Sequence, residues 1–452
     1  MIDLNPTWWS ILMFGGLVVG LFMGHPLAFV LGGLATIFGI LAWGFECFPM
    51  FINRIYGTAM ENYTLIAVPL FIFMALLLNN SGVVEELFDV MSYFIRKIKG
   101  GIALVVIIVS TIFGACTGIT GASIVTMGLL SLPVMLKSGY DKKLSTGTVC
   151  AGGTLGILIP PSIMLVFMGS ETGISVGKLF AGAIVPGLLL AFMYAIYILI
   201  ISFFGSTNTE SERNTESESA IGNGELSKPV KELLLMVGKS FVPPAVLITG
   251  VMGSIFLGIA TPTEAAGVGA FLAFLLVLLY GKFTWTSFFD AVLQTGRITS
   301  MALIIVVGAT CFTGVFLAVG GGESVEKLLL GTGLGKWGIF GIMMAIFFIM
   351  GMFLDWIGIV MIAFPVMMPI VETLGFNKLW FTVISAVILQ SSFLTPPFGY
   401  ALFYIKGVSP PGIEMHHIYL GIIPFVLIIL AGTVLCIIFP TLITWLPSII
   451  VK

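Results

Sequence analysis

Apolar residues run through this chain in helix-length blocks, separated by short polar or glycine-rich joints. A helix needs roughly 20 such residues to cross a bilayer core. Ten blocks meet that length, at about 8–24, 26–44, 63–80, 142–170, 177–204, 236–257, 262–280, 298–320, 378–406 and 413–440. Two more apolar stretches, at about 101–136 and 337–371, are too long for one span. They are too short for two spans and a turn, so each predicts a re-entrant helical hairpin. Backbone at such depth is tolerated only where it is buried in protein or lines a cavity.

The pattern also repeats. Leu158-Ile159-Pro160-Pro161-Ser162 returns as Leu394-Thr395-Pro396-Pro397-Phe398, a shift of 236 (396 − 160). Pro133 and Pro369, Gly139 and Gly375, Lys142 and Lys378, Thr146 and Thr382, and Phe167 and Phe403 keep the same shift. Proline removes a backbone donor and opens a helix, so the spans at 142–170 and 378–406 are broken helices. Five crossings separate them, and they therefore run in opposite directions. The reading is an all-α polytopic membrane protein of two inverted repeats, 1–204 and 233–452. Broken helices at matching positions of two such halves point to a substrate and ion site at mid-membrane.

Composition agrees, with 58% hydrophobic and 9% charged residues and a mean hydropathy of +1.16. No soluble domain has that balance. The first apolar run lacks the basic start of a signal peptide and reads as a retained span. No basic patch exists for nucleic acid. Cys47, Cys116, Cys150, Cys311 and Cys436 are scattered without metal-ligand spacing. His416 and His417 have no Cys or carboxylate partner at such spacing, so no metal cluster is expected.

Loop charge sets the orientation. Arg96, Lys97 and Lys99 precede the first hairpin, and Lys137, Lys142 and Lys143 follow it. A hairpin returns to its own side, which the positive-inside rule makes the cytoplasm. Alternation then puts Arg213, Lys228, Lys231, Lys239, Lys282, Arg297 and Lys406 inside. Arg54, Lys178, Lys327, Lys336, Lys378 and Lys452 remain outside, and both termini are expected there. The tract 205–232 is polar, acidic and unable to bury a core, and reads as a disordered cytoplasmic linker.

A sodium ion leaving water needs oxygen ligands, and unwound backbone supplies carbonyls without a buried charge. Half-helix N-termini offer N–H groups to an anion. Thr117-Gly118-Ile119-Thr120-Gly121, at the centre of the first hairpin, combines glycines for unusual backbone angles with threonine hydroxyls. Gly152-Gly153-Thr154-Leu155-Gly156 leads into the first Pro-Pro break. Gly runs alone also serve close helix packing; a Gly/Thr tip beside a Pro-Pro break, repeated in inverted form, points to a site. Gln390-Ser391-Ser392 leads into the second break. Asp355 lies at the second hairpin tip, where a carboxylate is costly unless paired or solvated. Glu264 reads instead as a helix start, with Thr261 as N-cap and Pro262 at the first position. Gly238-Lys239-Ser240 lacks the glycine five positions earlier that a phosphate loop needs. No ATP site and no hydrolytic constellation are present, so the chain is not expected to be an enzyme.

On these motifs the chain resembles the large membrane subunit of tripartite ATP-independent periplasmic (TRAP) transporters over nearly its whole length. The most specific stretches are Gly147 to Ser162, Gly258 to Ala266 and Leu389 to Lys406. The resemblance implies an elevator-type, sodium-driven carrier with no ATPase. It implies a small four-helix membrane subunit and a periplasmic substrate-binding protein that delivers organic anions. It puts one sodium site at Thr117, Gly118, Thr120, Gly156 and Pro160. A second falls at Asp355, Ser392, Thr395 and Pro396. Thr154, Ser162, Gln390, Ser391 and Gly399 are the expected substrate residues. Many relatives carry a Ser-Gly-Ser tip where this chain has Thr117-Gly118-Ile119-Thr120-Gly121. The variant is similar to the branch that handles 2-oxo acids, lactate, mannitol-type or aromatic carboxylates. Two other classes fit the inverted repeat, a stand-alone dicarboxylate or citrate symporter and the membrane subunit of a sodium-pumping decarboxylase.

Overall fold

The computed structural model describes residues 5–95, 98–204, 230–397 and 399–450, with side chains described from 236 onward in the third segment. The expected linker lies almost wholly outside them. The described residues are helical, with no strand among them.

The chain opens with α1 (Pro6–Phe22), α2 (Leu27–Trp43), a short α3 (Cys47–Ile55), α4 (Ala67–Asn79) and α5 (Val83–Ile95). The first hairpin follows as α6 (Gly101–Thr117) and α7 (Thr120–Lys137). The first broken helix is α8 (Lys142–Thr154), a 3₁₀ turn Leu155–Ile157, and α9 (Ile163–Thr172). Next come α10 (Val176–Phe204), α11 (Val230–Phe256), α12 (Pro262–Leu279), α13 (Trp285–Ala318) and α14 (Gly321–Leu330). The second hairpin is α15 (Lys336–Phe353) and α16 (Trp356–Thr373). The second broken helix is α17 (Lys378–Ser392) and α18 (Tyr400–Val408), before α19 (Met415–Ile438) and α20 (Thr441–Ile450). The hairpins and broken helices thus recur in one order, their matching starts at the spacing read from the prolines.

Local chemistry accounts for the joints. Gly118 ends α6 with φ +61°, a left-handed angle that glycine adopts without a Cβ clash, and its N–H bonds Gly114 O at 2.9 Å. The second tip uses two extended residues instead, Leu354 and Asp355. Both Pro-Pro bonds, Pro160-Pro161 and Pro396-Pro397, are cis. The start of α12 is the expected capping box: Glu264 N donates to Thr261 Oγ1 and Thr261 N to Glu264 Oε2.

Three expectations change. The eighth span starts well before 298: α13 runs unbroken from Trp285, so Arg297 lies within a helix rather than ahead of one. At about 1.5 Å per residue its 34 residues reach roughly 50 Å, beyond a ~30 Å hydrocarbon core. The matching segment of the first half is interrupted, by a π turn at Tyr56–Met60 and a 3₁₀ turn at Tyr63–Ile66. Finally, the amphipathic helices α3, α5 and α14 were not anticipated, being too short for a span-length apolar window. All five cysteines are buried thiols.

Packing crosses between the halves. α9 packs on α16, and in return α18 packs on α7. Likewise α8 packs on α19 and α17 on α10. Exchange of equivalent contacts is what a two-fold relation produces. The hairpins and broken helices form one interlocked body, while α1 to α4 and α11 to α13 pack mainly on each other beside it, for example α2 on α13 and α4 on α12.

Candidate binding site at the paired helix breaks

Two residues related by the repeat touch each other at the centre of this body. Gln390 Nε2 donates to Thr154 Oγ1 at 3.4 Å, across a sequence separation of 236. A residue that bonds its own repeat mate lies on the pseudo-two-fold axis. Both side chains are fully buried, and Gln390 Oε1 finds no partner among the described residues. An unpaired buried oxygen costs about 1–3 kcal/mol. Gln390→Leu is therefore expected to leave the thermal midpoint of the purified protein unchanged or raised, while lowering transport. A clear fall in the midpoint would mark Gln390 as a structural residue.

In the first half, tip and break are pressed together by glycine. A Cβ on Gly118 would lie 2.8 Å from Pro161 O, and one on Gly114 2.7 Å from Gly156 Cα. The structure thus brings Gly118, Gly156 and the Pro160-Pro161 break into one neighbourhood. Thr117 joins them through Ser123: its hydroxyl bonds Phe113 O at 3.0 Å and Ser123 Oγ at 3.1 Å across the tip. Ser123 was missed from the sequence, since only the hairpin's closure brings it to Thr117. Thr120 starts α7 and is partly exposed. Ser162 caps α9, accepting from Leu165 N at 3.4 Å and donating to Ile157 O.

The second half is arranged differently. The hydroxyls of Ser391, Ser392 and Thr395 donate to Ile388 O, Leu389 O and Ser391 O, at 2.6, 2.7 and 2.8 Å. None of the three reaches Asp355. Ser392 packs against Gly351, near the end of α15. The half-buried Asp355 carboxylate sits at the start of α16, facing the N–H groups of Trp356 and Ile357. Its charge also acts on the phenols of Tyr400 and Tyr404, which the sequence reading passed over. Their placement one helical turn apart, directly after the second break, was the available signal. Gly399 precedes α18, within 3.1 Å of Thr395 O if it carried a Cβ.

Helices α7, α9, α16 and α18 all begin at a tip or a break, and their N-terminal ends carry free N–H groups and partial positive charge. No lysine or arginine is buried among the described residues. An anion here would be held by helix ends, hydroxyls and amides. A cation would be held by carbonyls, hydroxyls and Asp355. The breaks also differ in access. Pro160 and Pro161 are buried, with Ile159 seated against Gly187. Pro396 and Pro397 are exposed and line a cleft of about 580 Å³ with Tyr419, Ile422 and Ile423. Ile423 stands at the repeat position of Gly187 and lines this cleft.

The family model described as "Tripartite ATP-independent periplasmic transporter, DctM component" matches residues 14–442. The chain is 27% identical to the C4-dicarboxylate TRAP transporter large permease protein DctM of Vibrio cholerae, covering 96% of each chain. It is 29% identical to the ectoine TRAP transporter large permease protein TeaC of Halomonas elongata, covering 95% of each. The solved structure of the Alcanivorax borkumensis YdaH transporter shares the fold, with a TM-score of 0.64 at 14% identity over 97% of this chain and 98% of that one.

Proposed function

The chain belongs to the DctM component family of tripartite ATP-independent periplasmic transporters, and on that premise we propose that it is the sodium-coupled carrier of a binding-protein-dependent importer of small organic acids. The observation that carries the reading is the crossed pair of helix breaks, with repeat mates Thr154 and Gln390 in contact on its axis. Alternating access needs two equivalent gates about one site, and an inverted repeat supplies them. The sodium seats are taken as Thr117, Gly118, Thr120, Gly156 and Pro160 on one side and Asp355, Ser392, Thr395 and Pro396 on the other. Thr154, Ser162, Gln390, Ser391 and Gly399 face the acid. The interlocked hairpins and broken helices move as the elevator, against the frame of α1 to α4 and α11 to α13.

Loop cations orient the chain in a bacterial inner membrane with both termini periplasmic. A small four-helix subunit and a soluble binding protein complete the system. The substrate class is C4-dicarboxylates, 2-oxo acids or lactate-type carboxylates; relatives named for C4-dicarboxylates and for ectoine show how far cargo varies on this fold. The test is reconstitution of the three components in liposomes with an inward sodium gradient, using labelled succinate, pyruvate and lactate. Accumulation of one acid is expected only with sodium and the binding protein together. Uptake by the chain alone would point to a stand-alone symporter, and uptake without sodium would remove the coupling.

A further inference from the structure

The two crossed gate contacts are built at matching positions from unlike residues. In one, α9 presents Met164, Phe167 and Met168 to the start of α16, where Trp356 meets Phe167 with ring centroids 5.2 Å apart. Ile357 follows, and Met164, Phe167, Met168 and Ile357 are almost fully buried. This contact is filled by apolar side chains, with Trp356 part-buried. In the other, the equivalent positions on α18 are Tyr400, Phe403 and Tyr404, and those at the start of α7 are Thr120 and Gly121. Replacing Trp and Ile by Thr and Gly removes the bulk that would cover the aromatics. Tyr400, Phe403 and Tyr404 are accordingly 39%, 53% and 44% exposed. The Tyr404 ring lies directly over Gly121, and a Cβ there would meet it at 2.9 Å.

We propose that Tyr400 and Tyr404 are specificity-determining residues of the acid site, forming a hydroxyl-bearing wall opposite Thr120 and Gly121. This rests on the carrier reading above. The open gate juxtaposes two phenol donors, the Thr120 hydroxyl and the N-terminal end of α7. Each complements an oxyanion or a carbonyl oxygen. The phenyl faces cover the carbon skeleton of the acid. A site built to donate hydrogen bonds discriminates strongly against a ligand that lacks the acceptor. The preferred substrate is therefore a small carboxylate with a second oxygen function, an oxo, hydroxyl or further carboxylate group, over a plain fatty acid of equal length. The sealed gate has methionines at the tyrosine positions and so lacks the two phenols.

The experiment compares Tyr400→Phe and Tyr404→Phe with the unchanged protein in the three-component liposome assay, using the acid among succinate, pyruvate and lactate that the unchanged protein accumulates. KM is expected to rise about tenfold in at least one variant, while the sodium-induced shift in thermal midpoint persists. Preference over the matching plain acid, butyrate or propionate, is expected to narrow. A KM within twofold in both variants, with preference unaltered, overturns the proposal. If neither variant yields monodisperse protein, alkylation of Phe403→Cys by N-ethylmaleimide reads the same wall with both tyrosines intact. Protection by the transported acid is then expected, and equal alkylation with and without it overturns the proposal. Absence of uptake by the unchanged protein would instead count against the carrier reading.

Discussion

Asp355→Asn is expected to abolish sodium-driven uptake while leaving the chain folded. The change keeps the shape of the side chain and removes its charge. Asp355 is half-buried at a hairpin tip between two strongly apolar helices, facing the N–H groups at the start of α16. A carboxylate at membrane depth is retained at a cost unless it meets a cation or water. An ion that binds only the folded protein stabilises it by RT ln(1 + c/Kd) at ion concentration c, about 2.7 kcal/mol at one hundred times Kd. The purified protein should therefore show a higher thermal midpoint in sodium chloride than in choline chloride. Asp355→Asn should lose part of that shift, because one of two seats is weakened about tenfold or more, equivalent to ~1.4 kcal/mol. A variant with an unaltered sodium shift and unaltered uptake would remove Asp355 from the ion path and leave it as a helix-end residue.

Gly118→Ala is expected to have the second large effect, through geometry alone. The residue holds φ +61° and ψ 11°, and forcing a side chain into that region costs about 1–2 kcal/mol. Its Cβ would also press on Pro161 O at 2.8 Å, and a backbone oxygen in a break cannot rotate away as a side chain could. Overpacking of this kind adds about 1–3 kcal/mol. The hairpin tip must then lift from the break, separating carbonyls that the first seat needs together. A reduced thermal midpoint and a weakened sodium shift are expected together, whereas Asp355→Asn moves only the second. Full stability with intact uptake in Gly118→Ala would show that tip and break need not touch.

The broken helices and hairpins were legible because proline and glycine act locally. Pro160, Pro396 and Gly118 interrupt a helix wherever the rest of the chain goes. Their spacing gave the repeat, and parity of crossings gave its inversion. Packing between repeats was not legible, since no local pattern says that Phe167 meets Trp356 or that Tyr404 covers Gly121. Tyr400 and Tyr404 carry a local signal only in their spacing of one turn; the small residues opposite them are set by the fold. Arg297 misled in the other direction. A charge ahead of an apolar run suggested a boundary, yet Thr295 and Gly296 do not break a helix and α13 continues through them to its cap at Thr284.

The contact between Thr154 and Gln390 bears on the history of the chain as well as its operation. If the two halves were once separate and identical copies paired about an axis, this position would have faced itself, and any group it offered would have been offered twice, in mirror-free duplicate. Such a pair could grip only a ligand that shared its symmetry or sat off centre. Joining the copies into one chain freed the two positions to diverge, into a hydroxyl and an amide. A ligand near the axis would then meet a different group on each side of it. On that history, duplication and fusion would account for the two gates, and divergence at the axis for the unlike groups that meet there.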